Sequence, residues 1–230
     1  MGLDIDVGVL SSYAAEDPEI ISAILRDIDR INSQLEPAGF KPHREPRRFE
    51  SEYLSWQMWG YAGLHYLRRI ALHYDKTRTL VPPGPARSDD LFTNEYEALS
   101  NQFNDRCLVA MDMAGRPYVP FSHLIFHGDA DGTYLPIEFA GIVILEPGAE
   151  VLGTHIGSSY ALLNECKKLA QLLEVPDDLD PEDKRLWDAT DSQGVGDSVW
   201  QQYAIETFTC IRLIRACEAS INTGGLLLYC

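Results

Sequence analysis

A strand-like run stands at each end of this chain. "LDIDVGVL" (3–10) alternates, with Leu3, Ile5, Val7 and Val9 on one side and Asp4, Asp6 and Gly8 on the other, as a half-buried strand does. "LLLYC" (226–230) is short, apolar and follows a Gly-Gly pair. Three more strand-like runs cluster mid-chain: "RCLVAMDM" (106–113), "VPFSHLIFH" (119–127) and "TYLPIEFAGIVIL" (133–145). Helical periodicity fills the space between. This is no regular alternation of strand and helix. It predicts a single α+β domain over 1–230, in which a mainly antiparallel sheet of about five strands, with both ends in it, is packed by about five helices.

The clearest helix is "PEIISAILRDIDRINSQL" (18–35). Asp17 supplies an N-cap and Pro18 the first helical position. Ile20, Ile21, Ile24, Leu25, Ile28, Ile31 and Leu35 make one apolar stripe, and Pro37 and Gly39 end it. The other predicted helices are a long aromatic one over 51–75 capped by Ser51 or just after it, one over 91–105, one over 158–176, and one over 198–222 with Asp197 as its N-cap. Residues 174–197 read as an acidic surface loop.

At 230 residues, 45% hydrophobic and 23% charged, the chain has ample material for a folded core. A net charge of -16 argues against nucleic-acid binding and against anionic membranes, and it suits a basic protein partner. No apolar run approaches the ~18 residues of a spanning helix. The N-terminal stretch lacks the basic region of a signal peptide. Cys107, Cys166, Cys210, Cys217 and Cys230 are scattered, with no C-x-x-C, which predicts reduced, mostly buried thiols and a cytoplasmic location.

The stretch "HGDADGTYLPIEF" (127–139) is the richest in chemistry. Against a calcium-loop template His127, Asp129, Asp131, Gly132 and Glu138 fall at positions 1, 3, 5, 6 and 12. A histidine at position 1 and strand-like flanks count against that reading. The alternative is a hairpin turning at Asp131-Gly132, whose one face collects His123, His127, Tyr134 and Glu138, with His127 opposite Tyr134 and His123 opposite Glu138. Those four are the candidate catalytic residues. His127, Asp129, Asp131 and Glu138 are the candidate ligands for a divalent metal, a nitrogen-loving ion before calcium. His155 lies within reach of the same area. No other cofactor is implied.

Two weaker patterns remain. Asp4 and Asp6 share one strand face, as D-x-D magnesium ligands do. Residues 42–87 are locally basic, with Arg44, Arg47, Arg48, Arg68 and Arg69 offering an anion pocket beside Trp56 and Trp59.

The "MGLDI" start together with "HGDADGTYLPIEF" resembles a group of uncharacterised bacterial proteins that begin similarly and carry a D-x-D/E-G-x-Y-x-P-x-x-F segment near mid-chain. The resemblance implies a bacterial, cytosolic protein and carries no activity with it. Two function classes stand: a binding or interaction protein of immunity or regulatory type, whose acidic surface meets a basic partner, and a metal-assisted hydrolase using the His123/His127/Glu138 face.

Overall fold

The C-terminal run becomes an interior strand. In the computed structural model, residues 3–13, 17–37, 39–48, 54–58, 60–85, 87–113, 117–129, 132–145, 148, 151–192 and 195–230 are described. In chain order they form β1 (Asp4–Val7), α1 (Val9–Tyr13), α2 (Pro18–Leu35), β2 (Leu54–Gln57), α3 (Gly60–Thr77), a 3-10 turn (Ser88–Leu91), α4 (Asn94–Asp112) and α5 (Ser122–Ile125). Then come β3 (Thr133–Leu135), β4 (Val143–Ile144), β5 (His155–Ser158), α6 (Ser159–Leu172), α7 (Lys184–Asp191), α8 (Val199–Gln202), α9 (Ala204–Thr223) and β6 (Leu227–Tyr229). The sheet runs β2-β1-β6-β3-β5-β4, so the two terminal strands lie side by side at Ile5↔Tyr229 and Val7↔Leu227. Every pairing is antiparallel except β3 with β5. The fold is a single-domain α+β one, with six strands and, among the described residues, nine α-helical segments where about five of each were expected.

Both faces of the sheet are covered, so most side chains of its interior strands are buried, Asp6 of β1 and Thr133 of β3 among them. Ile5, Val7, Tyr134, Leu227 and Tyr229 enter one core with Leu64 and Leu67 of α3, Leu162 and Cys166 of α6, and Leu213 and Cys217 of α9. Leu135, Val143, Ile156 and Leu228 enter a second core, against Ile24, Ile28, Ile31 and Leu35 of α2. The helix α2 forms as its periodicity requires, with Asp17 accepting from the Glu19 N–H and Pro18 at the start.

Several expectations are corrected. The run 106–113 is not a strand: Phe103, Cys107 and Ala110 continue a helical stripe, so α4 extends to Asp112 and leaves Leu108 and Val109 exposed. Residues 119–127 are not a strand either. Phe121 takes a left-handed conformation at φ 65, and the four-residue α5 follows. Pro136, which has no N–H to give a ladder, ends β3, and the expected strand 133–145 splits into β3 and β4.

The aromatic stretch 51–75 opens with β2, where Leu54 and Trp56 are half-buried and Ser55 and Gln57 exposed. It turns helical only at Gly60, φ 56; Ser51 lies outside the described residues. The helix over 198–222 breaks at Tyr203, and its cap is Ser198, whose N–H and hydroxyl reach Gln201 Oε1 at 3.3 and 2.6 Å. The acidic loop 174–197 carries α7, pinned by buried Leu186, Ala189 and Thr190.

Candidate functional site

With α5 in place of a strand, the hairpin ladder is gone, and the stretch around His127 is organised by a buried arginine. Arg68 projects from α3 and is 5% exposed. Its Nε donates to the Leu124 carbonyl at 2.7 Å and its Nη2 to the His127 carbonyl at 2.9 Å. Its Nη1 meets the Asp129 carboxylate. His65, one turn earlier on α3, reaches the other oxygen of Asp129 at 3.3 Å. Burial pushes the Asp129 carboxyl up, but the His65 hydrogen bond and the Arg68 charge outweigh it and hold the group well below the usual carboxylate range.

The structure brings His123, His127 and Tyr134 together and leaves Glu138 apart. The His127 ring stacks on Tyr134 with centroids 4.1 Å apart and 13° between planes. The Tyr134 hydroxyl donates to the His123 carbonyl at 2.8 Å and meets the Tyr229 hydroxyl at 3.2 Å. His123 Nδ1 accepts from the Ser158 N–H at 3.0 Å, so its Nε2 carries the proton given to the Ala140 carbonyl, also at 3.0 Å. Both ring nitrogens are therefore engaged. Burial lowers His123 to about 4 and, with the nearby His155 and Arg68, His127 to about 3. Both are neutral at physiological pH.

His155 at the start of β5 lies 6.0 Å from the His127 ring. A side chain at Gly132, φ 137, would come within 2.5 Å of His127 Cε1 and of the His155 carbonyl, so the glycine serves close packing here. The expected His123–Glu138 pairing does not form: Glu138 is exposed on the chain after β3, because α5 removes the strand that would have paired with it. Asp131 lies outside the described residues. Among the described residues, no group of three or more His, Cys, Asp or Glu is placed to hold a metal ion.

One residue of this cluster left no mark in the sequence. Glu165 of α6 is 2% exposed and accepts from the His123 and Leu124 N–H groups at 3.2 and 2.8 Å, and from the Tyr118 hydroxyl at 3.1 Å. It caps α5 from another helix, where Phe121 offers no side-chain oxygen. Burial raises its carboxyl to about 8 against the pull of those donors.

Among the described residues the other candidates do not assemble into sites. Asp4 and Asp6 face Gln57 and Ser55 across β1 and β2, and Asp6 accepts from the Cys230 thiol at 3.1 Å. Arg68 is spent on the loop, Arg69 donates to the Pro82 carbonyl at 3.0 Å, and Arg44, Arg47 and Arg48 are exposed. Trp56 is half-buried on β2, and Trp59 lies outside the described residues. All five cysteines are free thiols, and only Cys230 is exposed.

The strongest surface feature is acidic. "EVPDDLDPED" (174–183) holds six carboxylates in ten residues and no base. It is held in turns: the Leu179 N–H donates to the Pro176 carbonyl at 3.1 Å, the Asp183 N–H to the Asp180 carbonyl at 3.0 Å and the Glu182 N–H to Asp180 Oδ1 at 3.0 Å. Leu179 and Pro181 are buried while Glu174, Asp177, Asp178, Asp180 and Glu182 are exposed. Beneath them Leu179, Leu186, Trp200 and Phe208 form a small core of their own. Arg212 lies 3.5 Å over the Phe208 ring and bonds Glu182 at 3.0 Å. The segment is thus an ordered arm whose apolar residues point in and whose carboxylates point out.

A family model described as "Putative DNA-mimic protein" matches residues 1–229. The chain belongs to that family. The family's description is of a binding function, and it fits the interaction class rather than the hydrolase. No curated protein and no solved structure matches the chain. Among the described residues, no helix is long and apolar enough to cross a membrane.

Proposed function

We propose that this protein acts by binding, as a stand-in for DNA, and that its partner is a basic DNA-binding protein met in the cytoplasm. The observation that carries the reading is the ordered acidic arm. Residues 174–197 hold nine acids against two bases. Lys184 and Arg185 pair with Asp188, Asp178 and Asp183, while Glu174, Asp177, Asp191 and Asp197 carry no ion pair among the described residues. A DNA strand presents one charge about every 3.4 Å along its axis. Six carboxylates fall within ten residues, each rising at most ~3.6 Å, which spaces them ~6 Å apart or less, and the turns shorten that span. Asp178 and Asp183 meet Arg185, Glu182 meets Arg212 and Asp180 lies 4.0 Å from Arg215, so Glu174 and Asp177 carry the unpaired charge of this run among the described residues. Membership of the family supports the same reading. A net charge of -16 would steer a basic partner at long range.

The test is competition. A basic protein retained on the immobilised chain is challenged with duplex DNA and with rising salt. Mimicry requires that duplex DNA displace it and that its affinity fall steeply between roughly 0.05 and 0.2 M salt. Neutralising Asp177, Asp178, Asp180 and Glu182 together should flatten that dependence. Retention that is indifferent to duplex DNA would end the reading.

A further inference from the structure

The acidic arm borders a groove of mixed lining, part apolar and part charged. The groove has a volume of about 340 Å³ and runs between α6 and α9, under Val175 and Pro176. Ala170, Val175, Pro176, Leu179, Ile211 and Ile214 are its apolar lining. Its two cations are already engaged: Lys167 meets Glu218 at 3.1 Å, and Arg215 meets Glu218 at 3.4 Å and Asp180 at 4.0 Å. Asp177 lines the mouth without an ion pair among the described residues. Glu174, Asp178, Asp180 and Glu182 stand exposed along the arm that borders it.

From this arrangement we infer that the groove seats one apolar side chain of the partner, flanked there by the lysines or arginines that meet the arm. The inference rests on the mimicry reading and deepens it. The carboxylates alone would bind any polycation, with an affinity that salt erodes. The apolar part of the recess, where the Lys167 and Arg215 charges are already paired with Glu218, adds a contact that salt does not erode, and it selects a partner whose basic surface carries a protruding Leu, Ile, Met or Phe. Charge complementarity fixes the kind of partner. A second copy of this chain would set acidic arm against acidic arm, and bare DNA would bring a further line of anions.

The experiment uses the full chain and two labelled peptides, each a run of Lys and Arg with a central Leu or a central Ala. The Leu peptide should bind about tenfold tighter than the Ala peptide, as expected for burying a side chain of that size, and the ratio should persist as salt rises. Gln171→Trp, at an exposed position on the groove wall, should erase the Leu preference and leave the salt dependence intact. Ile214→Ala should shrink the preference, and circular dichroism verifies that both variants are folded. The paired change Glu174→Gln and Asp178→Asn should weaken both peptides and keep their ratio. Equal binding of the two peptides to the unaltered chain, with both weakened by the acidic-arm changes, overturns the groove while mimicry stands. Binding of neither peptide overturns the acidic-face reading as well.

Discussion

The Arg68 side chain donates to the His127 carbonyl at 2.9 Å across 59 residues of sequence. Through this and its bonds to Leu124 and Asp129, one guanidinium inside the core holds the chain from α5 to Asp129. Its charge and the carbonyls it serves are mutually dependent, because each is buried and would be costly alone. Replacing Arg68 with Ala is expected to cost about 3 kcal/mol or more, by the rule for removing one partner of a buried charged contact. Lysine keeps the charge but lacks the planar fork that reaches four acceptors, the carbonyls of Leu124, His127 and Gly128 and the Asp129 carboxylate, so Arg68→Lys should recover only part of the loss. Urea midpoints for the two variants check both statements.

Asp129 was a candidate metal ligand, and the structure gives it two partners of its own. A carboxylate crowded against other acids would gain stability on becoming an amide. One held by Arg68 and His65 should lose it. Asp129→Asn is therefore expected to destabilise the protein by about 1 kcal/mol, a modest figure because the group is part-exposed. An Asn variant more stable than the parent, together with zinc or manganese binding by titration, would restore the metal reading.

Burial holds His123 at about 4, against 6.5 when exposed. A group whose folded pKa is depressed supplies stability that is present above the unfolded value and lost as pH falls through the folded one. Between about pH 6.5 and 4 the protein should therefore lose roughly 3 kcal/mol on account of His123, with His127 acting in the same direction. His123→Gln should flatten this acid limb. Chemical denaturation across the interval, on both proteins, decides it.

Glu165 should act with the opposite sign. Its carboxyl is raised from 4.5 to about 8, so its contribution is complete below pH 4.5 and is lost as pH rises through about 8. Glu206, raised to about 7 by burial, adds a slope of the same sign. The difference between the parent and Glu165→Gln isolates Glu165: the Gln variant should fall less between about pH 5 and 8 while still accepting the α5 N–H groups through its amide oxygen. Glu165→Ala leaves those donors bare and should cost about 1–3 kcal/mol at every pH. Identical pH profiles for parent and Gln variant would show that burial does not perturb this carboxyl.

Local signals carried well where an element answers mainly to its own residues. The stripe from Ile24 to Leu35, the Asp17 cap and Pro18 were enough for α2. Leu3, Ile5 and Val7 were enough for β1, and the net charge already pointed to a basic partner, while the run from Glu174 to Asp183 read only as an acidic surface loop. What the tertiary structure decided turns on groups whose partners are distant in sequence. "CLVAM" suits a strand or a helix equally, and the packing of Phe103, Cys107 and Ala110 made it helix. "SHLI" reads as strand by composition, yet Glu165 satisfies two of its N–H groups and Arg68 one of its carbonyls from two other helices, and the backbone closes a single helical turn. That turn carries His123 into the core and leaves Glu138 outside. A backbone polar group in the interior must find a partner somewhere, and periodicity records only the partners that lie nearby.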